Sequence, residues 1–497
     1  MKYHNPIIRG FNPDPSICMV GDDYYLVTST FEYFPGIPLY HSKDLLNWEQ
    51  IGNCIDRQGM LPYDQLNDIE GIWAPTIRYD AGVFYVTTTY QRKGNFIIHT
   101  EDIRGEWSDP AWVDLGGIDP SIFFENGIAY YCTNARSKDG KSGISVVTIN
   151  PKTGALTGEA RQVWSGTNGG WLEGPHLYHF GDYYYLLAAE GGTGIGHMVT
   201  IARSSSIWGP YENCPFNPIL TNRNNSARDL LCAGHGDLFQ DRNEKWWMVH
   251  LGTRPVRGWN CTLGRETFLS PVVWKDGWPL AGENGMCKLE FENTTGAEQK
   301  PILPWKARFS GEKRDLKFIF LRNPNLASYI FQDDRLGLVP SPTGFTDDVS
   351  PTFIAIRQLD IECAFTSSFT FAPEQDGDEA GILIYITSLF HCRIGRKKID
   401  GSDYLVVERN AEDIKETSFI QKISPGKLWL RIKSDKEFYH FSYSENGTAY
   451  NSVYRASTRL LTAESTGRCF TGMTMGLYAR CLSKTGAVAW YDSMCVE

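Results

Sequence analysis

Short apolar runs that contain tyrosine, phenylalanine or tryptophan recur along the first three hundred residues, and polar turns separate them. One pattern occurs five times: a proline or glycine beside a small or polar residue, an apolar run, a turn, and an aromatic-rich run. The copies cover residues 14–17 leading to 24–27, 74–77 to 84–86, 119–122 to 129–131, 174–177 to 183–186, and 235–238 to 246–249. Turns such as Gly21-Asp22-Asp23 and Glu125-Asn126-Gly127 join the two runs and favour β-hairpins.

The spacing of the copies predicts the architecture. Aligned on their second residue, they begin at positions 15, 75, 120, 175 and 236, and each interval is long enough for a four-stranded antiparallel sheet. Propellers typically arrange four to eight such sheets, called blades, around a central channel. Residues 1–292 are therefore predicted to form a five-bladed β-propeller. A generic β-sandwich with chance similarity between its strands is the alternative.

The pattern changes after this region. Residues 293–306 are polar and turn-rich, contain two prolines, and are predicted to be a linker. Residues 307–497 contain further strand candidates at 381–386, 404–407, 428–432 and 438–443. The fold class is therefore all-β, with the propeller followed by an antiparallel β-sandwich of the jelly-roll, concanavalin-like type.

Composition and charge narrow the range of partners. The 497 residues carry a net charge of −10, which disfavours nucleic acid and acidic membrane surfaces and favours a small neutral ligand. No apolar run reaches the roughly 18 residues that a membrane-spanning helix needs. The first residues lack the features of a secretory signal, so we expect a cytoplasmic protein, and a homo-oligomer stays open. The twelve cysteines include no Cys-x-x-Cys pair and are expected to be buried thiols rather than zinc ligands.

Three carboxylates lie at related places in the repeats. Asp14 and Asp119 occupy the same position of the first and third copies, and Glu173 precedes that position in the fourth. Equivalent positions of successive blades lie at equal radius, so the three acids should meet at the channel mouth. An inverting glycoside hydrolase needs an ionised carboxylate and a protonated one about 6.5 to 9.5 Å apart, and a third carboxylate can keep the acid protonated. Taken singly, Asp14 and Asp119 could equally be turn residues, whereas Glu173 lies among the apolar residues Trp171 and Leu172.

Neighbouring residues supply the other parts of a sugar site. Phe31 comes after the first copy of the motif, and Trp73 comes directly before the second copy. Both could bind a sugar, because aromatic rings stack on the apolar face of a pyranose. Polar partners for the sugar hydroxyls are expected to be Thr193, His197, His235, Arg265 and Glu266. Residues 191–196 are glycine-rich, but they lack lysine and lead into a strand, which argues against a phosphate-binding loop.

These motifs together resemble glycoside hydrolase family 43, and in particular its two-domain β-xylosidases. The similarity covers nearly the whole chain and is carried by residues 10–16, 30–36, 72–75, 119–121, 173–176 and 263–267. The resemblance implies that Asp14 is the general base, that Glu173 is the general acid, and that Asp119 tunes and orients Glu173. It further implies that Phe470 of the second domain reaches the pocket. No cofactor is required, although some relatives hold a structural calcium ion near the residue matching His235.

The sequence departs from the family pattern at two positions. Thr76 stands where a histidine is common, and Gly236 replaces a usual alanine. These departures leave the fine specificity open.

The carboxylates and the resemblance together predict an inverting exo-glycosidase that releases D-xylose from the non-reducing end of β-1,4-xylooligosaccharides. The alternative is an α-L-arabinofuranosidase that removes arabinose from arabinoxylan or arabinan fragments. A non-catalytic carbohydrate-binding propeller and a retaining fructan-type hydrolase are the other classes considered.

Overall fold

Five four-stranded antiparallel sheets make up the first part of the chain. The computed structural model describes residues 1–136, 140, 142–309, 314–467 and 470–497. Blade 1 contains Ser16–Val20, Asp23–Val27, Gly36–Ser42 and Glu49–Ile55. Blade 2 contains Thr76–Asp80, Val83–Tyr90, Gly94–Thr100 and Ala111–Val113. Blade 3 contains Ser121–Glu125, Ile128–Arg136, Ser142–Ile149 and Arg161–Trp164. Blade 4 contains Glu173–Phe180, Tyr183–Glu190, Met198–Ser204 and Glu212–Asn213. Blade 5 contains Leu231–Gln240, Trp246–Thr253, Glu266–Lys275 and Trp278–Ala281.

The blades close into a ring. The first strand of each blade contacts the first strand of the next, and that of blade 5 contacts that of blade 1. The amino-terminal strand Lys2–His4 pairs with Glu290–Glu292, which follows blade 5, so the two ends of the ring are joined by backbone hydrogen bonds. The prediction of a five-bladed β-propeller is confirmed, and the alternative of a single β-sandwich is wrong for this region.

Aromatic side chains pack across every interface between blades. Their ring centroids lie 4.5 to 6.2 Å apart in the pairs Tyr25–Phe84, Tyr85–Phe124, Tyr130–Trp208, Phe180–Trp246 and Tyr24–Phe239. Such pairs stabilise beyond the apolar area that they bury, by about 0.5 to 1.5 kcal/mol each. The aromatic-rich runs of the repeats therefore hold neighbouring blades together.

The second part of the chain is a sandwich of two antiparallel sheets. The larger sheet contains Trp305–Lys306, Tyr329–Gln332, Arg335–Leu338, Cys363–Thr370, Lys427–Ser434, Phe438–Ser444, Asn451–Ser457 and Ala489–Val496. The smaller sheet contains Phe353–Arg357, Glu379–Thr387, Phe390–Ile399, Ser402–Ala411, Ile414–Lys422 and Thr474–Arg480. Short 3₁₀ turns occur at Leu326–Ser328 and Thr458–Leu460. Within the described ranges, no helix is long and apolar enough to cross a membrane.

The predicted linker is partly structured. Trp305–Lys306 pairs with the last strand of the sandwich, so sheet pairing begins two residues before the predicted start of that domain. Pairing partners from the far end of the chain are not visible in local sequence, which explains the difference.

The sandwich is docked on the loop that follows the second strand of blade 1. Tyr33–Phe34 pairs with Phe320–Leu321 of the second domain. The Tyr385 hydroxyl of the smaller sheet donates a hydrogen bond to Asp68, 3.0 Å away. Phe31 and Phe353 belong to the same buried cluster at this interface. The contact fixes the second domain beside the channel mouth.

Free thiols account for all the cysteines that the structure describes. Ten of them are buried, and Cys495 is half-buried. Cys469 lies outside the described residues. The expectation that the cysteines are buried thiols therefore holds for the ten.

Candidate active site

A left-handed backbone conformation recurs where the inner strands of four blades begin or bend. The φ angle is 56° at Asp14, 52° at Asp119, 57° at Gly174 and 46° at His235, which are equivalent positions of four repeats. Non-glycine residues adopt this conformation rarely, and it is concentrated at functional sites. The repeats therefore share one local distortion at the channel mouth, and Glu173 immediately precedes the glycine of the fourth copy.

Asp14 is the most strongly bonded carboxylate of the site. Its Oδ1 lies 3.0 Å from Arg265 Nη1 and 3.2 Å from His235 Nδ1, and its Oδ2 accepts a 2.6 Å hydrogen bond from the Ser29 hydroxyl. Burial alone would raise the pKa of Asp14, but Arg265, His235 and Ser29 together outweigh it and hold that pKa well below its ordinary value. Asp14 is therefore an ionised carboxylate.

Glu173 has the opposite character. Burial and then the charge of Asp119 raise the pKa of Glu173 to about 8, and His235 and Arg265 offset only part of this rise, to which Asp14 also adds. The residue as a whole is half-buried and keeps partial access to solvent. Burial also raises the pKa of Asp119 to about 6. At neutral pH the site therefore holds a protonated Glu173 beside two ionised aspartates.

His235 lies between these carboxylates. Burial lowers its pKa, but the hydrogen bond and charge of Asp14, with the charges of Asp119 and Glu173, outweigh burial and raise it to about 9. The imidazole Nε2 faces Gly174, where an added Cβ would come within 2.5 Å of it. A glycine is therefore required next to Glu173 on both steric and conformational grounds.

Arg265 joins Asp14 to an aromatic wall. Its guanidinium carbon lies 5.7 Å from the Phe31 ring centroid and 5.5 Å from that of Phe470. The rings of Phe31 and Phe470 are stacked, with centroids 5.7 Å apart and planes 5° from parallel. The ring centroid of Trp73 lies 6.3 Å from that of Phe470. The second domain thus contributes Phe470 to the wall beside Asp14.

The other predicted polar partners divide into two groups. Thr193 accepts a 3.1 Å hydrogen bond from Arg265 Nη1 and lies at the site. His197 is fully buried, with Nδ1 3.1 Å from the Cys232 carbonyl, and burial lowers its pKa to about 3. Glu266 is paired with Arg254 at 2.6 Å and is completely buried. The expectation that Glu266 binds sugar is therefore wrong, because its oxygens already accept hydrogen bonds from Arg254 and from the Gly10 backbone N–H.

The sequence did not indicate one contributor, and one predicted neighbour of Glu173 lies elsewhere. Ser29 follows the second strand of blade 1, and its bond to Asp14 becomes visible only when the strands are folded together. Trp171 is 79% exposed, whereas the sequence suggested that it shields Glu173. Leu172 is buried in the core shared by blades 3 and 4. Trp171 lies against Gly192 at the rim, beside a cavity of about 200 Å³ lined in part by Thr193 and Arg265.

The channel below the site contains an internal arginine. Arg78 of blade 2 bonds Asp237 of blade 5 through both terminal nitrogens, at 2.8 and 3.0 Å, and lies 2.9 Å from His176 Nδ1. Calcium prefers six to eight oxygen ligands. Within the part of the chain that the structure describes, no cluster of three or more His, Cys, Asp or Glu residues could hold a metal. Arg78 engages the Asp237 carboxylate in the channel, and the structural calcium ion expected near His235 stays a prediction.

The two departures from the family pattern have local explanations. Thr76 donates a 2.9 Å hydrogen bond to the Pro120 carbonyl and so links the inner strands of blades 2 and 3. A Cβ added to Gly236 would come within 2.7 Å of the Met248 sulfur. Glycine at this position therefore leaves room for the Met248 side chain.

Comparison with known proteins agrees with this geometry. Residues 3–279 match the sequence profile of Glycosyl hydrolases family 43, and residues 306–497 match the Beta xylosidase C-terminal Concanavalin A-like domain. The chain is 38% identical to a non-reducing end alpha-L-arabinofuranosidase of Bacteroides ovatus, over 100% of this chain and 95% of that protein. It is 36% identical to a xylosidase/arabinosidase of Butyrivibrio fibrisolvens, over 97% of this chain and 96% of that protein. The crystal structure of a xylan beta-1,4-xylosidase from Bacillus halodurans superposes with a TM-score of 0.91 at 29% identity, over 100% of both chains. The chain belongs to glycosyl hydrolase family 43.

Proposed function

We propose that the protein is an inverting exo-glycosidase that releases D-xylose from the non-reducing end of short β-1,4-xylooligosaccharides. The observation that carries the proposal is the opposed protonation of two carboxylates at one channel mouth. Asp14 is held ionised by Arg265, His235 and Ser29, whereas the pKa of Glu173 is raised to about 8. Hydrolysis with inversion requires one ionised and one protonated carboxylate.

In the proposed reaction, Asp14 gains one proton and Glu173 loses one. Asp14 accepts a proton from the attacking water, while Glu173 donates its proton to the glycosidic oxygen that leaves. The hydroxyl bonds to the anomeric carbon as the bond to the leaving oxygen breaks. Asp119 acts through Glu173, because its negative charge favours the protonated form of that acid. Exchange with solvent then returns the proton from Asp14 to Glu173.

Action at chain ends is supported by the docked second domain. Phe470 stacks on Phe31 beside the Asp14–Arg265 pair, so one side of the site is closed by the sandwich. A pocket closed on one side admits a terminal sugar, with the rest of the chain extending toward the rim where Trp171 is exposed. We therefore propose Phe31, Trp73, Thr193, His235, Arg265 and Phe470 as the residues that line the position of the terminal sugar.

The α-L-arabinofuranosidase is the second candidate. It is favoured by the 38% identity to the Bacteroides ovatus arabinofuranosidase and by the double name of the Butyrivibrio relative. Hydrolysis of 4-nitrophenyl β-D-xylopyranoside and 4-nitrophenyl α-L-arabinofuranoside by the same preparation separates the two. Chromatographic products from xylobiose, arabinoxylan and arabinan then identify the natural linkage. A higher kcat/KM on the arabinofuranoside, with arabinose as the product, would replace the xylosidase proposal.

We also propose that no metal ion takes part. Arg78 supplies a positive charge inside the channel and engages Asp237 with two hydrogen bonds, which leaves that carboxylate without a vacant face for calcium. Unchanged activity after treatment with EDTA is the expected result.

The proposed compartment is the cytoplasm. Its support is the free state of the eleven described cysteines, because reducing compartments keep thiols unpaired. Fractionation of cells that express the native gene, with immunodetection of the protein, tests this location. Recovery from the periplasm or the medium would contradict it.

A further inference from the structure

The outer face of the smaller sandwich sheet carries a cavity far from the carboxylate triad in sequence. Its volume is about 370 Å³, within the range of pockets that hold small molecules. Most of the residues that line it occupy alternate positions of neighbouring strands, since Arg393 lies opposite Glu408 and His391 lies opposite Asn410. Arg409 and Glu416, which also line it, are paired at the intervening position. The alternate residues, such as Ile394, face the core between the two sheets. The face of the smaller sheet that points away from the larger sheet therefore carries polar side chains, and the face that points toward the larger sheet carries apolar ones.

The charge balance of the cavity is positive. Five cationic side chains line it: Arg393, Lys397, Arg409, Lys415 and Arg480. The protein as a whole carries −10, so this concentration of cations runs against the charge of the chain. A local positive field in a cavity attracts anions.

Three carboxylates neutralise three of the cations. Arg393 bonds Glu379 at 2.8 Å and also bonds Glu408. Lys397 bonds Glu408 at 2.6 Å.

The third carboxylate is Glu416, which Arg409 bonds at 3.1 Å. Arg480 and Lys415 form no ion pair among the residues that the structure describes. Arg480 lies opposite Glu379 in the sheet, and its charge also acts on that carboxylate. The five cations nevertheless exceed the three carboxylates by two positive charges.

One buried polar atom in the cavity wall lacks a partner. The Nε of Arg480 is buried without an acceptor within the described part of the chain. His391 is 2% exposed and bonds the backbone of Thr387 and Ser388. An unpaired buried polar group costs about 1 to 3 kcal/mol, so a ligand or ordered water that supplies partners is favoured. Phe345 lies beside His391, with ring centroids 5.3 Å apart, and gives the cavity an apolar edge.

We propose that this cavity is a second binding site, separate from the catalytic site, for a small sugar-sized anion that bears a carboxylate or phosphate group. The guanidinium of Arg480 and the ammonium of Lys415 hold the anionic group. His391 and Asn410 contact polar groups of the remainder, and Phe345 packs against its apolar surface. The site does not depend on which sugar the catalytic site hydrolyses.

Isothermal titration calorimetry with three matched probes tests the proposal: D-glucuronate, D-glucose 6-phosphate and neutral D-glucose at equal ionic strength. We expect saturable binding of one or both anions and none of glucose. One anion carries a carboxylate and the other a phosphate ester on a similar sugar ring, so they distinguish carboxylate from phosphate recognition. Equal binding of glucose, or no binding by either anion, would overturn the proposal.

Variants locate the binding within the molecule. R480Q removes the Arg480 guanidinium and is expected to weaken anion binding at least about 10-fold, the loss typical of one charge-assisted hydrogen bond. K415Q changes an exposed lysine, is safe for folding, and is expected to weaken binding in the same direction. R455Q, on an exposed position of the larger sheet, is the matched control and should bind normally. Unaltered affinity in both R480Q and K415Q would overturn the assignment.

Discussion

The guanidinium of Arg265 lies 3.0 Å from Asp14 Oδ1, and both side chains are buried. A buried carboxylate would ordinarily tend to take up a proton, and it is the positive charge beside Asp14 that reverses this tendency. Because the same guanidinium contacts the rings of both Phe31 and Phe470, the position of the second domain and the charge of Asp14 are linked through one residue.

Replacing the Arg265 guanidinium should make the protonation of Asp14 measurable in the pH dependence of activity. In R265Q the pKa of Asp14 rises, because burial is no longer offset by the arginine charge. Asp14 is then protonated as pH falls, so the acid limb of kcat/KM moves to higher pH and activity falls at least about 10-fold at low pH. The pH dependence of kcat/KM on an aryl glycoside measures the shift. R242Q, in an exposed turn of blade 5, is the control. An acid limb unchanged from the parent would contradict the role given to Arg265.

Substrates with poor and good leaving groups should distinguish the role of Glu173 from that of Asp14. E173A removes the proton donor, so a natural disaccharide should lose at least about 100-fold in kcat, whereas a glycoside of an acidic phenol should lose much less. D14N removes the base and should lose at least about 100-fold on both substrates. Steady-state rates on xylobiose and 2,4-dinitrophenyl β-D-xylopyranoside provide the comparison.

Two surface variants control for the loss of a carboxylate alone. E212Q and D22N change exposed acids of blades 4 and 1 and should keep parental rates. Equal losses of E173A on both substrates would mean that Glu173 does not act as the proton donor.

The charge of Asp119 should set the alkaline limb. The pKa of Glu173 is raised to about 8 first by burial and then by Asp119, so D119N lowers it. Glu173 then loses its proton at lower pH, and the alkaline limb of kcat/KM moves down in pH. Damage to the structure alone would lower activity at every pH without moving the limb. D182N, in an exposed turn of blade 4, is the control, and an unmoved limb in D119N would refute the tuning role.

The arginine in the channel should matter for stability rather than for metal binding. R78M leaves Asp237 buried and unpaired, which should lower the free energy of unfolding by about 3 to 5 kcal/mol. Urea denaturation measures this change, with R104M at an exposed position as the control. Neither EDTA on the parent nor added calcium on R78M should change the midpoint. Restoration of R78M by calcium would show that the channel does accept the ion.

Sequence reasoning reached the features that repeat. The five copies of the motif predicted five blades because each copy encodes one hairpin with its own turn residues, and equivalent positions then placed Asp14 and Asp119 at one end of the channel. The second domain was predicted as a sandwich from strands such as Phe438–Ser444.

Features that depend on contacts between distant residues were not accessible in this way. Ser29 reaches Asp14, and Arg78 meets Asp237, through pairings that no local pattern encodes. Glu266 follows Arg265 directly, yet Arg265 bonds Asp14 at the site, whereas Glu266 begins the third strand of blade 5 and bonds Arg254. The exposure of Trp171 depends on the turn before Glu173, which the local sequence does not define.

The stereochemistry of the first product tests the central claim most directly. Proton NMR of a β-D-xyloside, recorded during the first minutes of hydrolysis in D₂O before mutarotation, identifies the anomer that is released. Attack by a water activated by Asp14, opposite the bond protonated by Glu173, predicts α-D-xylose as the first product. Initial appearance of β-D-xylose would mean retention through a covalent intermediate and would contradict the account.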